Sequence, residues 1–402
     1  MDKPILLIAR DYPRMVGGIA HYIARTFSKV PPTDLVVISH QDSGIHAGGY
    51  EKRFRVISTG SYSTFLRTGK LAILPLIIST IRHVTRQRKY QIVIAEQVQT
   101  AIPALIAARL LGARFVIFAY GMEITTSRWR RMKRWMFRQA DRVITISAYS
   151  RILLMRLGVS PDRIGLIPPS IDKDAFGASL QTSNREARAR LGIAPNAPVL
   201  LSVAVLKQQY KGIDTVINSI DLLRRRYQGL RYLVIGDGPD RQRLERITRA
   251  LQLERHVTFV GTVDDATKGL YYAACDLFML PNRVEYGNGG ERSEGFGIVF
   301  LEAALFGKPS IGGQGGSLDA VVNGETGLNV LGTSAEEVAN AVSKLLDDPQ
   351  LARRFSEAGR IRAELQFSTE VIAGKLYEEC AERPFPSKSH RRESAPRAQA
   401  SE

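Results

Sequence analysis

The chain has 402 residues, enough at roughly 150 residues per domain for two domains with separate cores. Its composition is globular (44% hydrophobic, 24% charged), and two cysteines, Cys275 and Cys380, exclude a disulfide scaffold and favour a reduced, cytosolic compartment. A formal net charge of +17 points to an anionic partner: nucleic acid, an acidic membrane surface or a phosphorylated small molecule.

The N-terminus "MDKPILLIARDY" has an apolar stretch too short for a signal peptide. The longest apolar run, "LAILPLIIS" from Leu71, is interrupted by Pro75 and too short to span a bilayer. A soluble or peripheral protein is expected. Short β-branched runs recur at 4–9, 35–39, 92–95, 115–119 and 143–147, separated by segments of helical period. Continuous apolar runs of this length are the mark of strands buried on both faces of a parallel sheet. The pattern restarts at 198–204, 231–236, 257–261, 277–281 and 309–313, after a polar stretch at 179–198 that reads as a linker and a helix. The expected fold is α/β, two doubly wound Rossmann-like domains facing a central cleft, with ligands outside the carboxyl ends of the strands. The expected divisions are a first Rossmann-like domain (1–180), a second Rossmann-like domain (181–366), a helix returning to the first domain (367–382) and a disordered basic tail (383–402).

Four strand-to-helix junctions carry candidate chemistry. Gly17 and Gly18 follow the first strand, where a missing Cβ lets backbone approach a ligand and a helix start offers free N–H groups; a plain tight turn is the alternative. Lys211-Gly212 precedes a helix, so Lys211 is either a phosphate contact or a solvated lysine. Gly236, Asp237, Gly238 and Pro239 form a turn, but GxGxxG is absent and a dinucleotide site loses weight. The stretch "EGFGIVFLEA" places Glu294 before a helix start, Gly295 and Gly297 at it, and Glu302 on its second turn. Side chains lean toward a helix N-terminus, so Glu302 can reach back to a diol such as ribose; a dipole partner and a surface acid are the plain alternatives for the two glutamates.

Taken together, Lys211-Gly212, "GDGPDRQRLE" and "SEGFGIVFLEAALFGKPSIGGQGGSLDAVVNGETGL" resemble the retaining glycosyltransferases of family 4, which have the GT-B fold. The likeness covers roughly residues 1–380 and is strongest over 201–330. It implies a nucleotide-diphosphate sugar donor, GDP-mannose or a UDP-sugar, bound by the second domain (181–366), an acceptor bound by the first (1–180), and no metal cofactor. Glu302 would take the donor ribose, and Glu294 with Gly295, Phe296, Gly297 and Ile298 would surround the transferred sugar. Lys211 would hold the diphosphate, Gly17 and Gly18 would approach from the other domain, and Val263 and Asp237 would line the nucleotide. Glu294, Lys211 and Tyr120 are the catalytic candidates. The sequence departs from the family twice. Ala204-Val205-Leu206 stands where an arginine is usual, leaving Lys207 as a substitute cation, and Tyr120-Gly121-Met122-Glu123 stands where His-Gly-x-Glu/Asp is usual. A phenol donates a hydrogen bond but is a poor base at neutral pH, and packing under the loop is the alternative for Tyr120. Asp264-Asp265 and Asp347-Asp348 read as caps or turns, and the six histidines lack metal-ligand spacing.

The segment 128–142, "RWRRMKRWMFRQADR", is a basic amphipathic helix with tryptophans, suited to an anionic membrane surface. Arg128, Trp129, Arg130, Arg131, Lys133, Arg134 and Trp135 are the expected contacts, with core packing of the apolar stripe as the alternative. No nucleic-acid motif or stacking platform accompanies the charge, so nucleic acid is not an expected partner. The expected activity is retaining transfer of a sugar, mannose being the candidate, to a lipid-linked saccharide or glycolipid in surface polysaccharide assembly. It would take place in the cytoplasm on the inner membrane face. The rivals are an epimerase or hydrolase of the same fold and a non-catalytic binding protein.

Overall fold

The computed structural model describes residues 4–10, 18–39, 54–59, 73–126, 129–207, 209–287 and 290–382. In the N-terminal lobe, strands β1 (Ile5–Ile8), β2 (Leu35–Ser39), β3 (Arg55–Ser58), β4 (Ile92–Ala95), β5 (Arg114–Ala119), β6 (Arg142–Thr145) and β7 (Ile164–Leu166) form one parallel sheet, in the order β3-β2-β1-β4-β5-β6-β7. Its helices are α1 (Gly18–Thr26), α2 (Ile73–Arg86), α3 (Ala101–Leu111), α4 (Met122–Thr125), α5 (Arg130–Gln139) and α6 (Ala148–Arg156). Every residue of β1, β4 and β6 is buried, as a sheet covered on both faces requires. One face packs on Leu76 and Val84 of α2, Ala104 and Ala108 of α3, Met136 and Phe137 of α5, and Leu153 and Leu154 of α6. The other packs on Tyr22 and Ile23 of α1 and on Phe27 just after it.

The C-terminal lobe begins with α7 (Asn184–Arg190). Strands β8 (Val199–Val203), β9 (Arg231–Ile235), β10 (Val257–Gly261) and β11 (Leu277–Met279) follow, alternating with α8 (Ile213–Leu223), α9 (Arg241–Ala250) and α10 (Asp265–Ala274). A two-stranded antiparallel hairpin, β12 (Glu285–Gly287) and β13 (Gly290–Arg292), stands apart and leads into α11 (Ile298–Leu305). Then come β14 (Ser310–Gly312), α12 (Ser317–Ala320), β15 (Gly327–Asn329), α13 (Ala335–Asp347), α14 (Pro349–Phe367) and α15 (Thr369–Tyr377). The parallel sheet runs β10-β9-β8-β11-β14-β15. Chain order reverses between β1 and β4 in one sheet and between β8 and β11 in the other. A crevice opens at the carboxyl ends of the strands at such a switch point.

The ten strands expected from sequence are present with boundaries shifted by a residue or two. Strands β3, β7 and β15 and the hairpin were not expected. The polar run at 179–198 is a docked element and not a free linker. Asn184 donates to the carbonyls of Ala273 and Ala274 (both 3.0 Å), and buried Arg188 makes a two-pronged contact with Asp276 (2.7 and 2.8 Å).

After α14 the chain crosses to the N-terminal lobe, where the Ile171 N–H donates to the Phe367 carbonyl (2.9 Å). Helix α15 lies on α1, with Ile372 and Leu376 in the same core as Tyr22 and Phe27. Arg142 on β6 pairs with Glu379, both side chains under 10% exposed. Removing one partner leaves a buried charge without its counter-ion. Glu379→Ala is therefore expected to lower stability by about 3–5 kcal/mol, measured as a shifted urea midpoint; a loss under about 1 kcal/mol would contradict this clasp.

Candidate active site

Lys211 ends a 3-10 turn (Gln209–Lys211) after β8, and Gly212 caps α8 with φ 73°. A Cβ on Gly212 would fall 2.2 Å from the Pro281 carbonyl oxygen, so the turn that presents Lys211 requires glycine. The Lys211 ammonium donates to the Glu294 carboxylate, an ion pair with side chains 18% and 16% exposed. Burial is the largest single influence and disfavours the ammonium, but the Glu294 charge, Tyr210 and the hydrogen bond to Glu294 together outweigh it, and the lysine titrates above its usual range.

Residues 294–297 form the floor between the lobes. Gly316 N–H donates to the Glu294 carbonyl (2.9 Å), and Gly297 opens α11 with φ 87°. A Cβ on Gly295 would lie 2.9 Å from the Tyr120 carbonyl oxygen and 3.1 Å from Ile146, so at this position the lobes meet backbone to backbone. Phe296 is buried with its ring edge-on to Phe367 at 5.6 Å, which anchors the loop from beneath and leaves only its backbone to the cleft. Ile298 is half-buried at the helix start.

Glu302 is buried on the second turn of α11. It accepts from the Tyr272 hydroxyl (2.9 Å) and from Lys268 (3.2 Å). Lys268 also pairs with Asp265 (2.8 Å) and lies 5.3 Å over the Phe176 ring. Burial works against its charge, yet Glu302 and Asp265 hold it above the usual lysine range. Lys268 and Tyr272 were absent from the sequence reading. Their signal was the i,i+4 spacing on α10, which puts both on one helix face.

Val263 is half-buried at the turn into α10, where the Asp264 carboxylate caps the helix by accepting from Thr267 N (2.7 Å). Asp348 caps α14 in the same way, accepting from Leu351 N (2.9 Å). Asp237 accepts from Gly238 N (2.7 Å) on the exposed rim, and Lys207 is exposed near the end of β8. The glycines beside Asp237 have a structural reason. A Cβ on Gly236 or Gly238 would strike the carbonyl oxygens of Ala204 or Leu206 at 1.9 and 2.4 Å. Gly18 begins α1, and Gly17 lies outside the described residues.

Two expectations are corrected. Tyr120 was a candidate beside the transferred sugar, but its ring is buried edge-on to Tyr22 (5.5 Å) and its hydroxyl donates to the Glu96 carbonyl (2.7 Å). Burial drives its titration far upward, so the phenol supplies neither a base nor a free donor. Lys133 was expected at a membrane, but it is buried and donates to the carbonyl of Glu123 (2.8 Å), the Thr126 hydroxyl (2.9 Å) and the Thr126 carbonyl. The last carbonyls of a short helix need donors, and this lysine supplies them for α4. Trp129, Arg130, Arg131, Arg134 and Trp135 are exposed, while Met136 and Phe137 pack inward; Arg128 lies outside the described residues.

Two Rossmann-like lobes thus face each other, with two lysine–glutamate pairs beside one glycine-rich helix start. Residues 183–362 match the profile of the group 1 glycosyl transferases, and residues 16–175 that of glycosyltransferase family 4. The chain is 30% identical over 391 residues to a GDP-mannose-dependent alpha-(1-6)-phosphatidylinositol monomannoside mannosyltransferase of Mycobacterium tuberculosis, covering 92% of this chain and 96% of the relative. The enzyme of the same name from Mycolicibacterium smegmatis is 28% identical, covering 89% and 92%. The fold is shared with Anabaena HepE in complex with UDP and glucose (TM-score 0.75, 20% identity, 95% and 100% covered). It is shared too with a glycosyltransferase from Rickettsia africae (TM-score 0.76, 18% identity, 96% and 100% covered). The chain belongs to glycosyltransferase family 4 and is a glycosyltransferase.

With its hydroxyl tied to Glu96, Tyr120→Phe is expected to cost about 1 kcal/mol of stability and to leave the transfer rate within about twofold. A general acid or base would contribute about 10²–10⁴ in rate, so a loss of that size in steady-state kinetics would restore the catalytic assignment.

Proposed function

We propose that the enzyme transfers mannose from GDP-mannose to a hydroxyl of a phosphatidylinositol-mannoside-like glycolipid, with retention at the anomeric carbon. The observation that carries this reading is the near full-length similarity to the mycobacterial mannosyltransferases. On this reading the donor diphosphate takes Lys211 from Glu294 and lies against the N–H groups of 295–297 at the start of α11, where peptide dipoles favour an anion. Lys207 is the second cation at the rim, and Asp237 and Val263 flank the nucleotide. Glu302, oriented by Lys268 and Tyr272, accepts from the ribose hydroxyls. Glu294, released from Lys211, accepts from the hydroxyls of the sugar. The bond from the anomeric carbon to the diphosphate breaks, a bond to the acceptor oxygen forms on the same face, and the acceptor proton passes to the departing phosphate. The positive charge needed by the leaving group comes from Lys211 and the helix start, so the reading calls for no metal.

The acceptor would be met at an anionic membrane surface, the inner face of the cell membrane. In support, Trp129 (54% exposed), Met132 and Trp135 (49%) stand among Arg130, Arg131, Arg134 and Arg138 on α5. Exposed Leu74, Ile78 and Ile81 on α2, with Arg82 and Arg86, lie on the same side of the sheet. No helix among the described residues is long and apolar enough to cross a membrane.

The direct test is transfer from labelled GDP-mannose to phosphatidylinositol mannoside; labelled product supports the reading, and turnover with UDP-sugars alone overturns the donor. Lys211→Ala is expected to lose a charged hydrogen bond of roughly 1.5–3 kcal/mol, about 10- to 100-fold in donor use. Unchanged donor kinetics would remove Lys211 from the phosphate. Wild type is expected to sediment with phosphatidylglycerol vesicles at low salt and to be released at high salt, with Trp129→Ala/Trp135→Ala weakening the association. No sedimentation at low salt would refute the surface.

A further inference from the structure

The C-terminal lobe grips the N-terminal lobe with two carboxylates, and both act on the first turn of α6. Asp319, on α12, places both carboxylate oxygens 3.1 Å from the backbone nitrogen of Ala148, the first residue of α6. Ser147 caps the same helix from within, accepting from Ser150 N (3.0 Å), so one helix start is shared between an internal cap and a cap from the other lobe. Glu291, on β13, accepts from the Tyr149 hydroxyl and lies 3.6 Å from Arg156, at the two ends of α6. The backbone joins in: Thr125 on α4 donates its hydroxyl to the Glu291 carbonyl. A Cβ on Gly290 (φ 105°) would fall 2.3 Å from the Thr125 carbonyl oxygen, so the hairpin lies directly on α4.

These contacts bracket the donor loop. Glu291 precedes Glu294 by three residues. Asp319 follows Gly316 by three, and Gly316 holds the Glu294 carbonyl. Between the two grips, Gly295 rests on the Tyr120 carbonyl. The far side of the latch is braced as well, since Arg362 of α14 donates to the carbonyls of Asp319 (2.7 Å) and Ala320 (3.0 Å). The hairpin is braced by Arg283, which reaches Glu285 (3.0 Å) and pairs with Asp214 at the start of α8 (3.0 Å), one turn from Lys211.

We propose that Asp319 and Glu291 are positioning residues for sugar transfer, a latch that holds the donor loop against the Tyr120–Gly121 wall by docking on the start of α6. Neither carboxylate touches a reacting atom. They set the distance across the cleft, on which transfer between a donor on one lobe and an acceptor on the other depends steeply. The hydroxyl of Tyr149 and the main-chain N–H of Ala148 are their partners, and both belong to the lobe assigned to the acceptor. The inference rests on the glycosyltransferase assignment and not on the choice of GDP-mannose.

The test compares Asp319→Ala/Tyr149→Phe and Asp319→Asn with wild type, full-length in each case. The double variant is expected to lose roughly tenfold or more in kcat for transfer, while GDP binding by calorimetry stays within about twofold, because the donor residues are untouched. Small-angle scattering of the free double variant is expected to give a larger radius of gyration than wild type. Asparagine serves as well as aspartate at a helix cap, so Asp319→Asn is expected to recover kcat to within about threefold of wild type. An unchanged kcat in the double variant, GDP affinity falling in step with kcat, or no recovery by asparagine would each overturn the latch. If the double variant does not fold, Tyr149→Phe alone carries the same comparison. If no sugar nucleotide supports transfer, scattering decides: an unchanged radius of gyration overturns the latch, and a larger one upholds it independently of the donor.

Discussion

The structure turns on the ion pair between Lys211 and Glu294. It joins two segments that leave the sheet at different strands, one after β8 and one after β11, on either side of the topological switch point. Each charge would be costly if left partly buried and alone. In the free protein each meets that need in the other, and the site is held neutral and assembled. Glu302 and Lys268 repeat the arrangement one helical turn deeper. The site is thus built from paired charges, and on the proposed reading the lysine beside the helix start changes partner when a diphosphate arrives. A ligand that takes Lys211 also frees Glu294, and so recognition of the anion and of the sugar becomes linked through one hydrogen bond.

The strand set was legible because a parallel sheet covered on both faces demands long apolar runs, and β1, β4 and all of β5 after Arg114 supply them without a break. Three of the four edge strands escaped for the opposite reason. β3 carries Arg55 and Ser58 at exposed positions, β7 contains Gly165, and β15 spans three residues, so none presents a run. The hairpin has one signal in the sequence, Asn288-Gly289, but its flanks are short and polar. At the site, Lys211, Glu294 and Glu302 were marked by motif and helix direction. Lys268 and Tyr272 were not, because their i,i+4 spacing puts them on one face of α10 without showing that this face meets Glu302. The latch residues were invisible in principle, since Asp319 and Glu291 find their partners more than a hundred residues away.

Tyr120 and Lys133 teach the same lesson from the other direction. Both were judged by side-chain chemistry, as a phenol near a sugar and a cation on a basic helix, and both turn out to be held by backbone carbonyls. Unpaired carbonyls at loop and helix ends are strong local demands, and a nearby donor is drawn to them before any ligand is considered. The consequence is useful for function. The wall opposite the donor loop is made of backbone, Tyr120 and Gly121 packed on Gly295, and its placement depends on how the lobes are docked more than on any one side chain.

The central claim, that Lys211 exchanges Glu294 for a donor phosphate, is tested most directly by a crystal structure of the enzyme with GDP. The Lys211 ammonium is expected within hydrogen-bond distance of a β-phosphate oxygen, with the Glu294 carboxylate released toward the cleft. A complex in which GDP is bound and Lys211 remains on Glu294 would contradict it.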